Sequence, residues 1–222
     1  MSETVYYELD EARYDRIGMS EAVYCKDKDF AILNDIISFI TKKNIPAIFT
    51  KISKEQEVLF ADDIFEFNSI AKTALFRKER TKYLAKVGIL TGGTSDLSIA
   101  HEARETLKFY GVKSEIISDI GVAGLHRLLD KKEAISKYDV LIVCAGWDAA
   151  LASVAGGLFS APIIGVPVSS GYGSAHSGVT AQNSMLSSCS QGLCTVNIDN
   201  GFGAACAAIR IIRMTDSCPK TL

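Results

Sequence analysis

The sequence predicts an α/β protein: a three-layer, doubly wound parallel sheet preceded by a small α+β domain. Three observations point there. From Lys86 onward, short apolar runs of strand length alternate with longer stretches of helical periodicity. Glycine-bearing turns separate the two kinds of segment. The 222 residues are 48% apolar and 23% charged, enough to bury one large core and a small companion. The charged run "RKERTKY" (77–83) marks the boundary, giving domains 1–80 and 81–222.

In the first domain, "FAILNDIISFI" (30–40) sets Phe30, Leu33, Ile36, Ile37 and Ile40 at helical spacing with one buried face. "IPAIFTKI" (45–52) reads as a short strand, and "QEVLFAD" and "AKTALFRK" as two more. In the second, "KVGILT" is a strand and "LSIAHEARETLKFYG" a helix stopped by Gly111. "SEIISDIG" and "GLHRLLDKKEAISK" repeat the pair, followed by the strongly apolar strand "YDVLIVCAG" and a helix through "DAALASVAGG". "APIIGVPVS" is the fourth strand and "GVTAQNSMLSSCS" its helix; "LCTVNID" and "GFGAACAAIRIIRM" close the series. Such alternation requires right-handed crossovers, and ligands of open α/β sheets bind at the carboxyl ends of the strands.

Four turns fall on that rim. In "LTGGTSDLSIA" (90–100), Gly92 and Gly93 clear side chains from a bend, and Thr94, Ser95 and Asp96 present two hydroxyls and a carboxylate at a helix start. That trio serves either as a helix cap or as part of a seat for an anionic ligand. The next strand's turn carries Trp147 and Asp148, the latter either an N-cap or a proton-handling carboxylate. "SGYGSAHSG" brings Gly171, Tyr172, Gly173 and His176 in a loop long enough to drape over a ligand. "VNIDNG" adds Asn197, Asp199 and Asn200, divided between turn-making and binding. Neither a G-x-G-x-x-G dinucleotide fingerprint nor a G-x-x-x-x-G-K-[ST] phosphate loop is present.

Of the six cysteines, Cys144 and Cys206 read as core packing, and Cys25 and Cys218 fall away from the rim. Cys189, in "MLSSCSQG" near a helix end, is the candidate nucleophile. His101 and His126 fall within helices and read as structural. No C-x-x-C pair or histidine cluster suggests a metal site. The net charge of -2 gives no reason to expect nucleic acid, and no apolar run reaches membrane-spanning length. The polar, acidic start "MSETVYYELDEARYDR" is unlike a signal peptide, so a cytoplasmic protein with reduced thiols is expected.

Taken in order, "GGTSDL", "AGWDAALASVAGGL", "PVSSGYG", "MLSSC" and "VNIDNGFGAA" closely resemble the LarB family of nickel-pincer nucleotide biosynthesis, itself related to the PurE class of aminoimidazole ribonucleotide carboxylases and mutases. The resemblance runs through most of 86–210 and extends more weakly to "LDEARYDRIGMSEAVY", with Arg13, Arg16, Gly18 and Glu21 in matching places. It implies carboxylation of the pyridinium ring of nicotinic acid adenine dinucleotide, then phosphoanhydride hydrolysis releasing AMP. The family's nucleophilic cysteine falls on Cys189. Thr94, Ser95 and Asp96 would lie at the carboxylation centre, and Gly171, Tyr172 and Gly173 would wrap the phosphate or ring. Carbon dioxide or bicarbonate is the implied co-substrate; no tightly bound cofactor is expected, and Mg2+ would assist the phosphoanhydride step.

The sequence departs from the family at Asp148, where a glutamate is typical, and at Trp147, where Met is common. The shorter carboxylate loses ~1.5 Å of reach. Gln182 and Asn183 stand in a usually apolar helix, and "YCKDKD" replaces a "YGEGKT"-like stretch. By resemblance to the PurE class, the chain is expected to be a homo-oligomer, an octamer. Two other functions fit the same residues: a PurE-like carboxylase or mutase, which needs no cysteine, and a nucleotide-binding paralogue without chemistry.

Overall fold

In a computed structural model describing residues 7–77 and 83–215, the chain divides into two units, Met1–Arg80 and Thr81–Leu222. Most of the charged run at 77–83 lies outside the described residues.

The first unit runs α1 (Arg13–Ile17), β1 (Ala22–Tyr24), α2 (Phe30–Lys43), β2 (Ala47–Thr50), β3 (Phe65–Asn68) and β4 (Thr73–Phe76). Its four strands lie in the order β1-β2-β4-β3, with β1 parallel to β2 and the other pairs antiparallel. The Asp29 carboxylate starts α2 by accepting the Ala31 N–H at 2.8 Å, and Asn44 ends it in the left-handed region at φ 60°. Leu33, Ile36, Ile37 and Ile40 bury against Phe49, Phe60, Phe65 and Phe76, and the Phe49 and Phe60 rings are 5.0 Å apart, whereas Phe30, read as part of the same face, is exposed in the first turn of the helix.

"QEVLFAD" is not a strand: Gln56–Phe60 is a 3₁₀ turn. Local polar bonds outcompete the sheet here. The Gln56 side chain accepts the Ser53 N–H at 3.0 Å and donates to the Cys25 carbonyl at 3.0 Å, while Phe60 still reaches the core.

The second unit runs β5 (Lys86–Thr91), α3 (Leu97–Phe109), β6 (Lys113–Ile117), α4 (Leu125–Asp130), α5 (Lys132–Ile135), β7 (Val140–Ala145), α6 (Ala150–Leu158), β8 (Ile163–Pro167), α7 (Val179–Leu186), β9 (Leu193–Thr195) and α8 (Gly201–Thr215). Its five strands are all parallel, in the order β6-β5-β7-β8-β9. Every residue of β7 is buried, as a central strand covered on both faces requires. Helices α3 and α8 pack together on one face; α4, α6 and α7 contribute Leu128, Leu151, Ala152, Ala155, Ala181 and Met185 to the core on the other. No helix among the described residues is long and apolar enough to cross a membrane.

Two predicted helices are too long. "GLHRLLDKKEAISK" breaks after Asp130, because residues 129–134 are all exposed and only a tightened turn returns Ile135 to the core. The helix in "GVTAQNSMLSSCS" ends at Leu186, where the Ser187 hydroxyl donates to the Asn183 carbonyl at 2.6 Å. Cys189 therefore lies beyond the helix. The small residues of α8 are used within the chain: Ala204, Ala205 and Ala208 are fully buried. A Cβ placed on Gly201 would stand 2.4 Å from the Ile99 carbonyl oxygen of α3.

Candidate active site

The turns after β5, β6, β7 and β8 surround a cavity of about 350 Å³ at the carboxyl rim of the five-stranded sheet. Gly92, Gly93, Ser95 and Asp96 come from the first turn, Gly121 to Ala123 from the second, Gly146 to Asp148 from the third and Ser170 from the fourth. The backbone makes these turns converge. Gly121 donates its N–H to the Gly92 carbonyl at 2.9 Å, and a Cβ on Gly121 would stand 2.6 Å from that oxygen. Gly146 meets Ser170 so closely that a Cβ would fall 1.9 Å from the serine Oγ. Glycine is required at both points by approach, not by φ.

Asp96 is the centre of the site. Its carboxylate accepts the Gly93 N–H at 2.9 Å and the Ser170 hydroxyl at 2.9 Å, and only 4% of the residue is exposed. The capping role of the Thr94–Ser95–Asp96 trio is thus performed by Asp96, while Thr94 and Ser95 stay exposed, Ser95 at the cavity wall. Burial raises the Asp96 pKa above the ordinary carboxylate range and the Asp199 charge adds to the rise, against opposing hydrogen bonds from Gly93, Ser170 and Gly92. A carboxylate so held is a better base than a solvated aspartate.

With the folded-state pKa raised, the charged form is penalised in the native state. The contribution of this group is therefore full below the unfolded-state pKa and is lost as pH rises through the higher folded value. Urea unfolding of the parent and of Asp96→Asn across the acidic range checks it: the parent should lose stability relative to the variant as pH rises. A constant difference contradicts the assignment.

Asp148 is exposed, and its carboxylate accepts the Ala150 N–H at 3.3 Å beside the start of α6. Trp147 (φ 55°) and Ala149 (φ 52°) flank it in the left-handed region, an uncommon conformation for residues with a Cβ and one that concentrates at functional turns. The turn holds because Trp147 donates its N–H to the Ser170 carbonyl at 3.2 Å and Ala149 donates to the Gly146 carbonyl at 2.8 Å. Of the two aspartates read as catalytic, Asp96 is the buried one.

The glycine-rich loop after β8 turns through Gly173–Gly178 with a kink at His176 (φ 43°) and Ser177 (φ 50°), and Ala175 within it is buried. Gly171 packs beneath the Trp147 indole, and Tyr172 sets its ring 5.0 Å from it. Exposed Gly173 and His176 do not line the cavity. Asn197, Asp199 and Asn200 also stand outside its wall and bond to the backbone. Asn197 accepts the Ile198 N–H, Asp199 accepts the Ser169 N–H at 2.9 Å, and Asn200 caps α8 through the Gly203 N–H at 2.7 Å. His101 lies against Arg104 on α3 and His126 is exposed on α4.

Cys189 is exposed but does not line this cavity. Its neighbours fix it on the flank of α6: the Ser188 and Ser153 hydroxyls are 2.7 Å apart, and Ser190 donates to the Ser153 carbonyl. Burial pushes the Cys144 thiol far above its usual pKa and the Cys25 thiol up to about 12, so neither supplies a thiolate. Cys194, on β9, is exposed as well; Cys218 lies outside the described residues. Among the described residues no three His, Cys, Asp or Glu side chains gather to hold a metal ion.

A second cavity, about 270 Å³, lies in the first unit, with Asp10, Glu11 and Glu21 at its wall. Each acid is engaged: Asp10 with Arg16, Glu11 with Lys43 at 2.6 Å, and Glu21 with the Asp10 N–H at 2.7 Å.

Residues 86–221 match the AIR carboxylase family, and residues 1–78 match the LarB/PurE-like N-terminal domain. An uncharacterized protein of Methanocaldococcus jannaschii is 39% identical over 209 residues, spanning 88% of this chain and 80% of its own length. The N5-carboxyaminoimidazole ribonucleotide mutase of the same organism is 36% identical over 135 residues, covering 58% of this chain and 79% of the mutase. A crystal structure of Treponema denticola PurE superposes with a TM-score of 0.48 at 25% identity, covering 60% of this chain and 82% of that one. The chain belongs to the AIR carboxylase family, as a PurE-related, LarB-type member with that family's N-terminal domain.

Proposed function

We propose that this protein carboxylates the pyridinium ring of nicotinic acid adenine dinucleotide and then hydrolyses its phosphoanhydride, with Cys189 as nucleophile. The observation that carries the reading is an exposed thiol on an AIR carboxylase domain joined to a LarB-type N-terminal domain. A pyridinium ring is too electron-poor to attack carbon dioxide. Addition of the Cys189 thiolate at the carbon para to nitrogen forms a C–S bond and converts the ring to an enamine. The carbon beside the new bond then attacks carbon dioxide. A base takes the proton from that carbon, the nitrogen lone pair expels the thiolate, and the ring is aromatic again; the net change is carbon dioxide in and one proton out. Asp96, with its raised pKa, suits the proton-taking step. Water then cleaves the phosphoanhydride to AMP and the dicarboxylated mononucleotide.

Cys189 and Asp96 do not share a cavity in one chain, so the reading includes a homo-oligomer, octameric by likeness to the PurE class, in which Cys189 of one copy reaches the cavity of another. A cytoplasmic setting keeps the thiol reduced. The mutase likeness favours a second reading, a PurE-type reaction on aminoimidazole ribonucleotide. Incubation with labelled bicarbonate and a panel of pyridine dinucleotides and aminoimidazole ribonucleotide, read by mass spectrometry, separates them. The expected result is a gained carboxyl group on the dinucleotide, released AMP and an adduct on Cys189. Label in aminoimidazole ribonucleotide alone supports the second reading. A carboxyl shift within N5-carboxyaminoimidazole ribonucleotide, which takes up no label, also supports the second reading; dinucleotide binding with neither label nor shift indicates a binding protein.

A further inference from the structure

We propose that Trp147, braced by Tyr172, is the ring-recognition residue of this cavity, and that it selects a positively charged planar heteroaromatic ring over a neutral one. The inference rests on the pyridinium reading of the site and adds the feature that distinguishes that ring from an imidazole. Trp147 stands in the cavity wall and is 53% exposed; Tyr172, at 75° and 5.0 Å to it, is 80% exposed. Large aromatic surface left to water at a cavity mouth marks a place that a ligand covers.

The loop chemistry fixes the indole in place. Trp147 sits at φ 55° with its N–H on the Ser170 carbonyl, and Gly171, at φ +108°, lies beneath the ring. A Cβ on Gly171 would stand 3.4 Å from the indole, an ordinary contact, but only 2.8 Å from the Ala175 Cβ, so the close turn beneath the ring is held by the Ala175 approach and the left-handed φ. Tyr172 meets the indole in a T-shaped contact.

Charge supplies the selectivity. The described residues lining the cavity include two carboxylates, Asp96 and Asp148, and no lysine, arginine or histidine. The face of an indole carries the negative end of its quadrupole, and tryptophan is the strongest of the aromatic residues in holding a cation. An anionic wall with an indole at its mouth attracts the positive charge of a pyridinium nitrogen and repels a phosphate or the ring's own carboxylate, which then points out of the cavity. The phosphates of a dinucleotide therefore belong outside this wall, and its charged ring inside.

Trp147 is the sole tryptophan of the chain, so its emission reports directly on this position. The test is calorimetric titration of the full-length protein with nicotinic acid adenine dinucleotide and with its dihydropyridine form, which keeps shape and phosphates but has a neutral ring. Intrinsic fluorescence is followed in parallel for the oxidised ligand. The parent should bind the cationic form tighter by on the order of tenfold, with quenching of Trp147. Trp147→Leu should lose that preference and Trp147→Phe keep part of it. Circular dichroism verifies folding; if Trp147→Leu does not fold, Trp147→Phe and Tyr172→Leu carry the test, each with a reduced preference. Equal binding of the two forms by the parent, or an unchanged preference in the variants, overturns the proposal. Ring-charge preference without carboxyl gain sinks the carboxylation reading and leaves this one standing. Carboxylation with an unchanged KM in Trp147→Leu does the reverse, and failure of both ligands to bind overturns both.

Discussion

Cys189→Ala should reduce pyridinium carboxylation by roughly 10³-fold or more, the scale on which removal of a covalent nucleophile disables an enzyme. Cys189→Ser should be equally inactive, because a hydroxyl lacks the softness and acidity to add reversibly to the ring. Neither change should disturb the fold, since the side chain is exposed and its serine neighbours hold the segment on α6. The control is Cys194→Ala, which removes the exposed thiol of β9 and should leave the rate unchanged. Trapping the reaction by acid and weighing the intact protein gives a second readout: an adduct on the parent and on Cys194→Ala, none on Cys189→Ala. Full carboxylation by Cys189→Ala would remove the thiol from the mechanism.

Gly201→Ala should destabilise the protein by about 1–3 kcal/mol, the usual cost of forcing one extra carbon into a packed contact. The new Cβ would sit 2.4 Å from the Ile99 carbonyl and 3.1 Å from the Ala103 nitrogen, both backbone atoms of α3 that cannot swing away. Phe202 donates its N–H to the buried Glu102 carboxylate at 3.4 Å, and that bond would lengthen as the helices part. Gly157→Ala is the matched comparison. It lies inside α6 with nothing within 4 Å of the added carbon, and helix propensity favours alanine there by up to about 1 kcal/mol. Thermal unfolding of the two variants should show shifts of opposite sign, about 2–4 °C for each kcal/mol in a chain of this size. A Gly201→Ala melt matching the parent would mean that α3 and α8 are not in such close contact.

The parts of the fold legible from sequence are those whose physics is local and repeated. The strand Val140–Ala145 is an unbroken apolar run because both its faces are covered, and α2 shows its buried stripe at every turn. The elements missed, Arg13–Ile17, Ala22–Tyr24 and Phe65–Asn68, are three to five residues long, too short for any period to register. In "QEVLFAD" the apolar letters were real but answered to a turn held by Gln56.

The site divides the same way. Asp96 was visible as a carboxylate at a helix start, and the glycines on either side of it as room for a bend. Its partner Ser170 lies 74 positions away, a contact that the topology alone creates. "PVSSGYG" drew attention to its glycines and tyrosine, when the serine before them was the residue touching the carboxylate. Nor did anything in "MLSSCSQG" reveal that the helix stops at Leu186 and leaves Cys189 outside the cavity of its own chain.

The outermost strands of the large sheet have a bearing on how copies of this chain can associate. On one side β9 spans only Leu193–Thr195, and on the other β6 carries Lys113 and Glu115 among its five residues. Neither margin offers a long, flat, uncharged row of amides and carbonyls for a foreign strand to extend. Association by continuous β-zippering into a fibre is thereby discouraged. Any association of this sheet with another copy is left to its helices and loops.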